Sequence, residues 1–273
     1  MTMIDSGSDA YINLGDLSVE LVDGVLWVIL NRPDSLNSLT AAMLKGIADA
    51  LQQAAGDPRV RVVRLGGVGR GFSSGAGISE EDQANPGTAG TPADVLDAAN
   101  AAVRSIVTVP KPVVAVVQGP AAGVGVSLAL SCDAVLASEN AFFMLAFTKI
   151  GLMPDGGASA LVAAAVGRIR AMRMALLAER ISATDAFDWG LVTAVYPPDG
   201  FDAEVDKVIS ALVSGPAVSL RKTKQAINAA TLTEFEAALE REKQGQLALV
   251  DSHDFREGTR AFQQRRTPTF TDS

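Results

Sequence analysis

The chain has 273 residues, 48% of them hydrophobic, and a formal net charge of −8. That is enough apolar material for one large core, and the wrong sign for a nucleic-acid backbone as partner. One cysteine, Cys132, excludes an internal disulfide or a thiolate metal cluster, and one histidine, His253, excludes a histidine-rich metal site; carboxylate-only magnesium or calcium sites stay open, though no EF-hand-like loop is present.

The start, MTMIDSGSDAYINLGD, is acidic and polar rather than a signal peptide, and residues 1–14 read as a flexible tail. No apolar run reaches ~18 residues, so no membrane segment is expected and the protein is placed in the cytoplasm. VLWVIL (25–30) is a β-branched apolar run that ends in the Asn-Arg-Pro-Asp turn at 31–34. Thr40 then leads into a helix over 41–55, where Met43, Ile47 and Leu51 recur at helical spacing. RVRVVRL (59–65) is the next strand, followed by the glycine-rich loop GGVGRGFSSGAG and the polar segment EEDQANPGTAGTP (80–92). Residues 93–108 form a helix stopped by Pro110.

KPVVAVVQG (111–119) is apolar throughout, as a strand buried on both faces must be. A second glycine loop, GPAAGVG, opens the short helix VSLALS, and DAVLAS and AFFMLA read as short strands. After about residue 200 the pattern is helical to the end, in FDAEVDKVISALV, SLRKTKQAINAA, TLTEFEAALEREKQGQLALV and DSHDFREGTRAFQQR. The expectation is an α/β core over 15–200 and a helical region over 201–273.

From Ala141 to Gly167 the only charged side chains are Lys149 and Asp155. Two readings of Asp155, in GLMPDGGAS (151–159), stay open. Pro-Asp-Gly is a turn, and Asp is a good N-cap for the helix ASALVAAAV. An acid walled by apolar groups is also a proton-transfer site with a raised pKa.

GFSSG (71–75) fits the G-x-S-x-G elbow of hydrolases, and Ser73, Asp155 and His253 follow the chain order Ser…Asp…His. The strand-turn-helix context is missing, because glycine loop precedes the serine and a poor helix follows it. Neither glycine loop carries a P-loop or dinucleotide fingerprint. Two such loops can instead aim two backbone N–H groups at one oxygen, the second loop gaining from the dipole of the helix it opens.

NRPDSLNSLT (31–40), RGFSSGAGISE (70–80), KPVVAVVQGPAAGVGVSLALSCD (111–133) and AFTKIGLMPDGGAS (146–159) resemble, in that order, the enoyl-CoA hydratase/isomerase (crotonase) superfamily. DFREGTRAFQQRRTPTF resembles its C-terminal helix, so the match runs from about residue 15 to 270. The resemblance implies a spiral of ββα turns, a C-terminal helical region that packs trimers, often as a dimer of trimers, and an acyl-CoA thioester as substrate. It implies an oxyanion hole from the N–H groups of Ala76 and Val124. It also implies CoA contacts at Ser35, Leu36, Ser74 and Ile78, with Phe262 and Arg265 at the adenosine end.

The family's hydratases use two glutamates, which fall here at Ser127 and Phe147; neither residue can move a proton near pH 7. Gly77 replaces the usual acid of the first loop. Asp155 matches the carboxylate of the Δ3,Δ2-enoyl-CoA isomerase and ring-1,2-epoxyphenylacetyl-CoA isomerase type. The resemblance thus implies an isomerase with Asp155 as its base, an acyl pocket walled by Phe143, Met144, Phe147 and Ser127, and no metal or redox cofactor, coenzyme A entering as part of the substrate. A hydratase of β-oxidation and a catalytically silent acyl-CoA binder remain as alternatives.

Overall fold

Leu17, Val19 and Leu21 alternate with Ser18, Glu20 and Val22, and this period of two makes β1 (Leu17–Val22), a strand that sequence reading left unassigned. It turns at Asp23-Gly24, both at positive φ (49° and 83°), into β2 (Val25–Leu30), its antiparallel partner. The computed structural model describes residues 11–77 and 91–271.

Four further strands extend this hairpin in parallel: β3 (Val62–Gly67), β4 (Val113–Val117), β6 (Ala134–Ser138) and β9 (Ala194–Tyr196). The sheet order is β1-β2-β3-β4-β6-β9. β3 starts later than the expected 59–65. The Asp57 carboxylate accepts the Arg59 N–H at 2.9 Å and its guanidinium at 2.8 Å, which holds 57–60 in a turn, and the ladder continues instead through Gly66 and Gly67.

All five residues of β4 are buried, and the reason is two cores. Val113, Ala115 and Val117 face the large cluster with α1 (Ala41–Gly56), α2 (Pro92–Thr108) and α3 (Val124–Ser131). Val114 and Val116 face a second cluster closed by Phe201, Val205 and Ile209 of a later helix. Thr40 caps α1 through Met43 N–H at 3.2 Å, and Thr91 with Asp94 forms a capping box on α2.

A small sheet carries β5 (Ala121–Ala122), β7 (Phe142–Met144) and β8 (Ile181–Ser182). β7 is shorter than the expected AFFMLA, because 146–150 coil into a 3-10 turn. α4 runs over Ala158–Leu177, and Gly167 (φ 76°, ψ 164°) breaks its helical geometry midway. α5 (Ala183–Asp188) precedes the closing helices α6 (Phe201–Ser214), α7 (Ala217–Thr231), α8 (Phe235–Leu249) and α9 (His253–Gln263).

The last two helices fold back over the 146–157 stretch. A Cβ on Gly258 of α9 would lie 2.5 Å from Ile150 Cα, and one on Gly245 of α8 would collide with the Met153 sulfur. Glycine lets α9 meet the loop backbone at Ile150 and lets α8 receive the Met153 side chain. Among the described residues, no helix is long and apolar enough to cross a membrane.

Candidate active site

The two glycine loops are locked to each other. Phe72 and Ser73 donate their N–H groups to Pro120 O (3.0 and 3.1 Å), and Ala122 N–H donates to Ser73 O at 2.8 Å. Gly75 sits at φ 91° where a Cβ would come within 2.9 Å of Ala122 O, so no other residue fits. Leu39 donates to Gly75 O and accepts from Gly77 N–H, which turns the N–H of Ala76 to the opposite side. Gly123 donates to Met144 O at 2.9 Å, and the chain then enters α3 at Val124. Among the described residues, neither the Ala76 N–H nor the Val124 N–H donates a hydrogen bond. Val124 opens a helix, so its N–H also lies at the positive end of a dipole.

Asp155 stands beside this helix start. A Cβ on Gly156 would lie 3.2 Å from Val124 Cγ2 and 3.0 Å from Ser127 Cβ. The Ser127 hydroxyl donates to the Asp155 backbone carbonyl at 2.7 Å and so fixes the turn to α3. The carboxylate faces α8: Gln246 Nε2 donates to Oδ2 at 2.8 Å, and Oδ1 is buried without a partner. Burial pushes the acid up to about 7; the Gln246 hydrogen bond opposes that rise and the charge of Glu242 adds to it.

The cap reading of Asp155 is overturned. α4 has Gly157 at its N-cap, with no side-chain cap from its own segment. Glu242 of α8 does the capping from across the fold: its Oε2 accepts Gly157 N–H at 2.6 Å and its Oε1 accepts Ser159 N–H at 2.8 Å. Burial raises the Glu242 pKa, and these hydrogen bonds work against the rise.

The hydrolase reading is overturned as well. Ser73 is fully buried, donates to Asn37 O at 3.0 Å and accepts Gly75 N–H, a structural clamp rather than a nucleophile. His253 is exposed beside Asp254 and Thr271.

Ser35, Leu36 and Ser74 come together: Ser74 N–H donates to Leu36 O at 2.8 Å and its hydroxyl to Ser35 O at 2.9 Å. Ile78 lies outside the described residues, as do 80–90 of the polar segment EEDQANPGTAGTP. Phe147 is buried with its ring tip 3.9 Å from where a Gly123 Cβ would stand, and Met144 holds Gly123 through its carbonyl. Phe143 has no accessible surface and belongs to the large core cluster. Phe262 and Arg265, at the end of α9, are exposed, Phe262 by 61%.

Three residues of this site escaped sequence reading. Glu242 and Gln246 were legible only as polar side chains on the buried helical stripe Phe235, Leu239, Glu242, Gln246. Asn37 lies in the first motif, NRPDSLNSLT, where nothing local marks it as buried. It is fully buried, accepts Arg32 N–H, and donates to Val68 O and Gly71 O, which ties the first motif to the glycine loop.

The hairpin-led parallel sheet, the paired glycine loops and the returning C-terminal helices make up the crotonase fold. The profile of the family described as enoyl-CoA hydratase/isomerase matches residues 20–273, and the chain belongs to that family. It is 37% identical over 253 residues to the 1,2-epoxyphenylacetyl-CoA isomerase of Escherichia coli K12, covering 91% of this chain and 95% of that one. It is also 37% identical over 254 residues to a probable enoyl-CoA hydratase of Rhodobacter capsulatus, covering 92% and 96%. The crystal structure of an enoyl-CoA hydratase from Mycobacterium avium subsp. paratuberculosis K-10 superposes with a TM-score of 0.89 at 66% identity, covering 95% of this chain and all of that one.

Proposed function

We propose that the protein is an acyl-CoA isomerase that moves the double bond of a 3-enoyl-CoA to the 2-position. The observation that carries this reading is the buried, unpartnered Oδ1 of Asp155, in a turn that packs against the first turn of α3. Asp155 takes a proton from C2, and the C–H electron pair delocalises onto the thioester oxygen as a dienolate. The N–H groups of Ala76 and Val124 hold that oxygen, each donor contributing on the order of 3 kcal/mol. Asp155 returns the proton at C4, leaving the double bond between C2 and C3. The atoms balance without metal, redox cofactor or co-reactant. A base whose pKa is near 7 is half ionised at neutral pH and close in strength to what such a transfer needs.

The test is conversion of 3-hexenoyl-CoA to the conjugated 2-enoyl thioester, followed by ultraviolet absorbance in wild type and D155N. Hydration is the second reading, favoured by Gln246 Oε1, a second buried acceptor without a partner on the side chain bonded to Asp155. Hydration of crotonyl-CoA at a rate above isomerisation would put this reading first, and tight acyl-CoA binding without turnover would identify a silent binder.

The same reading includes a homotrimer or a dimer of trimers. Ile169, Met172 and Leu176 form an exposed apolar stripe at helical spacing on the second half of α4, with Leu177 beside them. Light scattering should give three or six chains per particle, and a monomer at micromolar concentration would overturn this.

A further inference from the structure

Only one of the two Asp155 carboxylate oxygens is tied down. The amide N–H of Gln246 donates to Oδ2 at 2.8 Å, whereas Oδ1 has no partner. Gln246 is 1% exposed, and among the described residues its side chain makes no other hydrogen bond; its Oε1 is buried and unsatisfied. Leaving a buried amide oxygen unpaired costs free energy, so a side chain kept merely for packing would be better served by an apolar residue. The one bond the Gln246 side chain makes is to the carboxylate.

The helix that presents Gln246 is itself bolted to the same turn. Glu242, one helical turn earlier, holds the Gly157 and Ser159 N–H groups, and Gly245 lets α8 lie against Met153. The placement of the amide is therefore fixed from both sides of Asp155. Glu242 is the charged group that acts on the Asp155 carboxyl from the elements packed against it, and Gln246 is its neutral donor.

We propose that Gln246 is a positioning residue for the Asp155 base: by holding Oδ2 it leaves Oδ1 as the oxygen that takes and returns the proton. This rests on Asp155 being the base. The amide on Oδ2 opposes rotation of the carboxyl, so both transfers go through the oxygen left open. A carboxylate without that bond loses both its orientation and a hydrogen bond that favours its ionised form.

The test compares wild type with Q246M, a variant of similar length without a donor, in 3-hexenoyl-CoA isomerisation across pH. Expected in Q246M are a kcat lower by about tenfold or more at pH 7, a KM within about threefold of wild type, and an alkaline shift of the ionisation limb of about one pH unit. A folded Q246M with unchanged kcat and an unchanged limb would overturn the proposal. Should Q246M not fold, Q246N, which keeps the donor but shortens its reach by one methylene, is read by the same two outcomes. If wild type has no isomerase activity, the isomerase reading fails separately, and the Asp155 carboxyl is then titrated directly by infrared difference against D155N. An upward displacement of that titration in Q246M still supports the contact, and none refutes it.

Discussion

Glu242 accepts the Gly157 and Ser159 N–H groups at 2.6 and 2.8 Å, and so takes over the capping of α4 that Asp155, two residues ahead of Gly157, would otherwise perform. One acid is used up by the helix start; the other keeps an oxygen free. The two are 87 residues apart in the chain and meet only because α8 folds back onto the turn.

If Asp155 is the base, D155N should lower isomerisation at least ~100-fold, the low end of what a general base contributes. The same substitution should stabilise the protein at neutral and alkaline pH. Asp155 keeps its proton in the fold up to about 7 but loses it near 3.8 in the unfolded chain. Between those values the native state binds more protons, so its stability falls as pH rises through that window, and the full penalty is present above it. Urea unfolding at pH 5 and pH 8 should show D155N gaining on wild type as pH rises, by at most about 3 kcal/mol across that interval.

The pH profile of wild-type kcat should rise with a single ionisation near pH 7 and then level off, because the carboxylate, not the acid, takes the proton. E242Q should move that limb to lower pH, since the Glu242 charge raises the pKa of Asp155. A limb near pH 4 in wild type would mean that the carboxyl is solvated during turnover.

E242A should destabilise the fold by about 1–3 kcal/mol for each N–H it orphans, those of Gly157 and Ser159, as chemical denaturation would record. The loss should exceed that of S127A, which removes one hydroxyl bond to the Asp155 carbonyl and should lower stability by about 1 kcal/mol.

G75A tests the proposed oxyanion role of the two glycine loops. It introduces a Cβ at φ 91° and 2.9 Å from Ala122 O, so the two loops must separate and their N–H groups with them. Isomerisation should fall at least ~10-fold even where the protein still folds. G200A is the control: its φ of 88° carries the same backbone strain, but nothing lies within 4 Å, so stability should drop by about 1 kcal/mol with kcat unchanged.

Local patterns made much of this molecule readable. Val113 to Val117 announce a doubly buried strand because every side chain of β4 meets one of two cores. Asp155 was conspicuous because it is a lone acid among apolar residues, and the glycine loops because positions such as Gly75 admit nothing larger. β1 escaped notice, its alternation being short and half polar, and β3 was placed too early because Arg59 looks like a strand residue until Asp57 claims it.

By itself the sequence determined the α/β class, the helical C-terminal region, the family, and the acid in the apolar turn. Those properties rest on periodicity, turn chemistry and contiguous motifs, which a chain carries residue by residue. Only the tertiary structure decided what that acid is free to do. Whether Asp155 caps a helix or keeps an oxygen open depends on Glu242 and Gln246, and in the sequence these are two more polar residues in a charged helix. Their burial arises when α8 docks on the 153–157 turn, a long-range event that places hydrogen-bond donors and acceptors within 3 Å of a carboxylate and its neighbouring N–H groups.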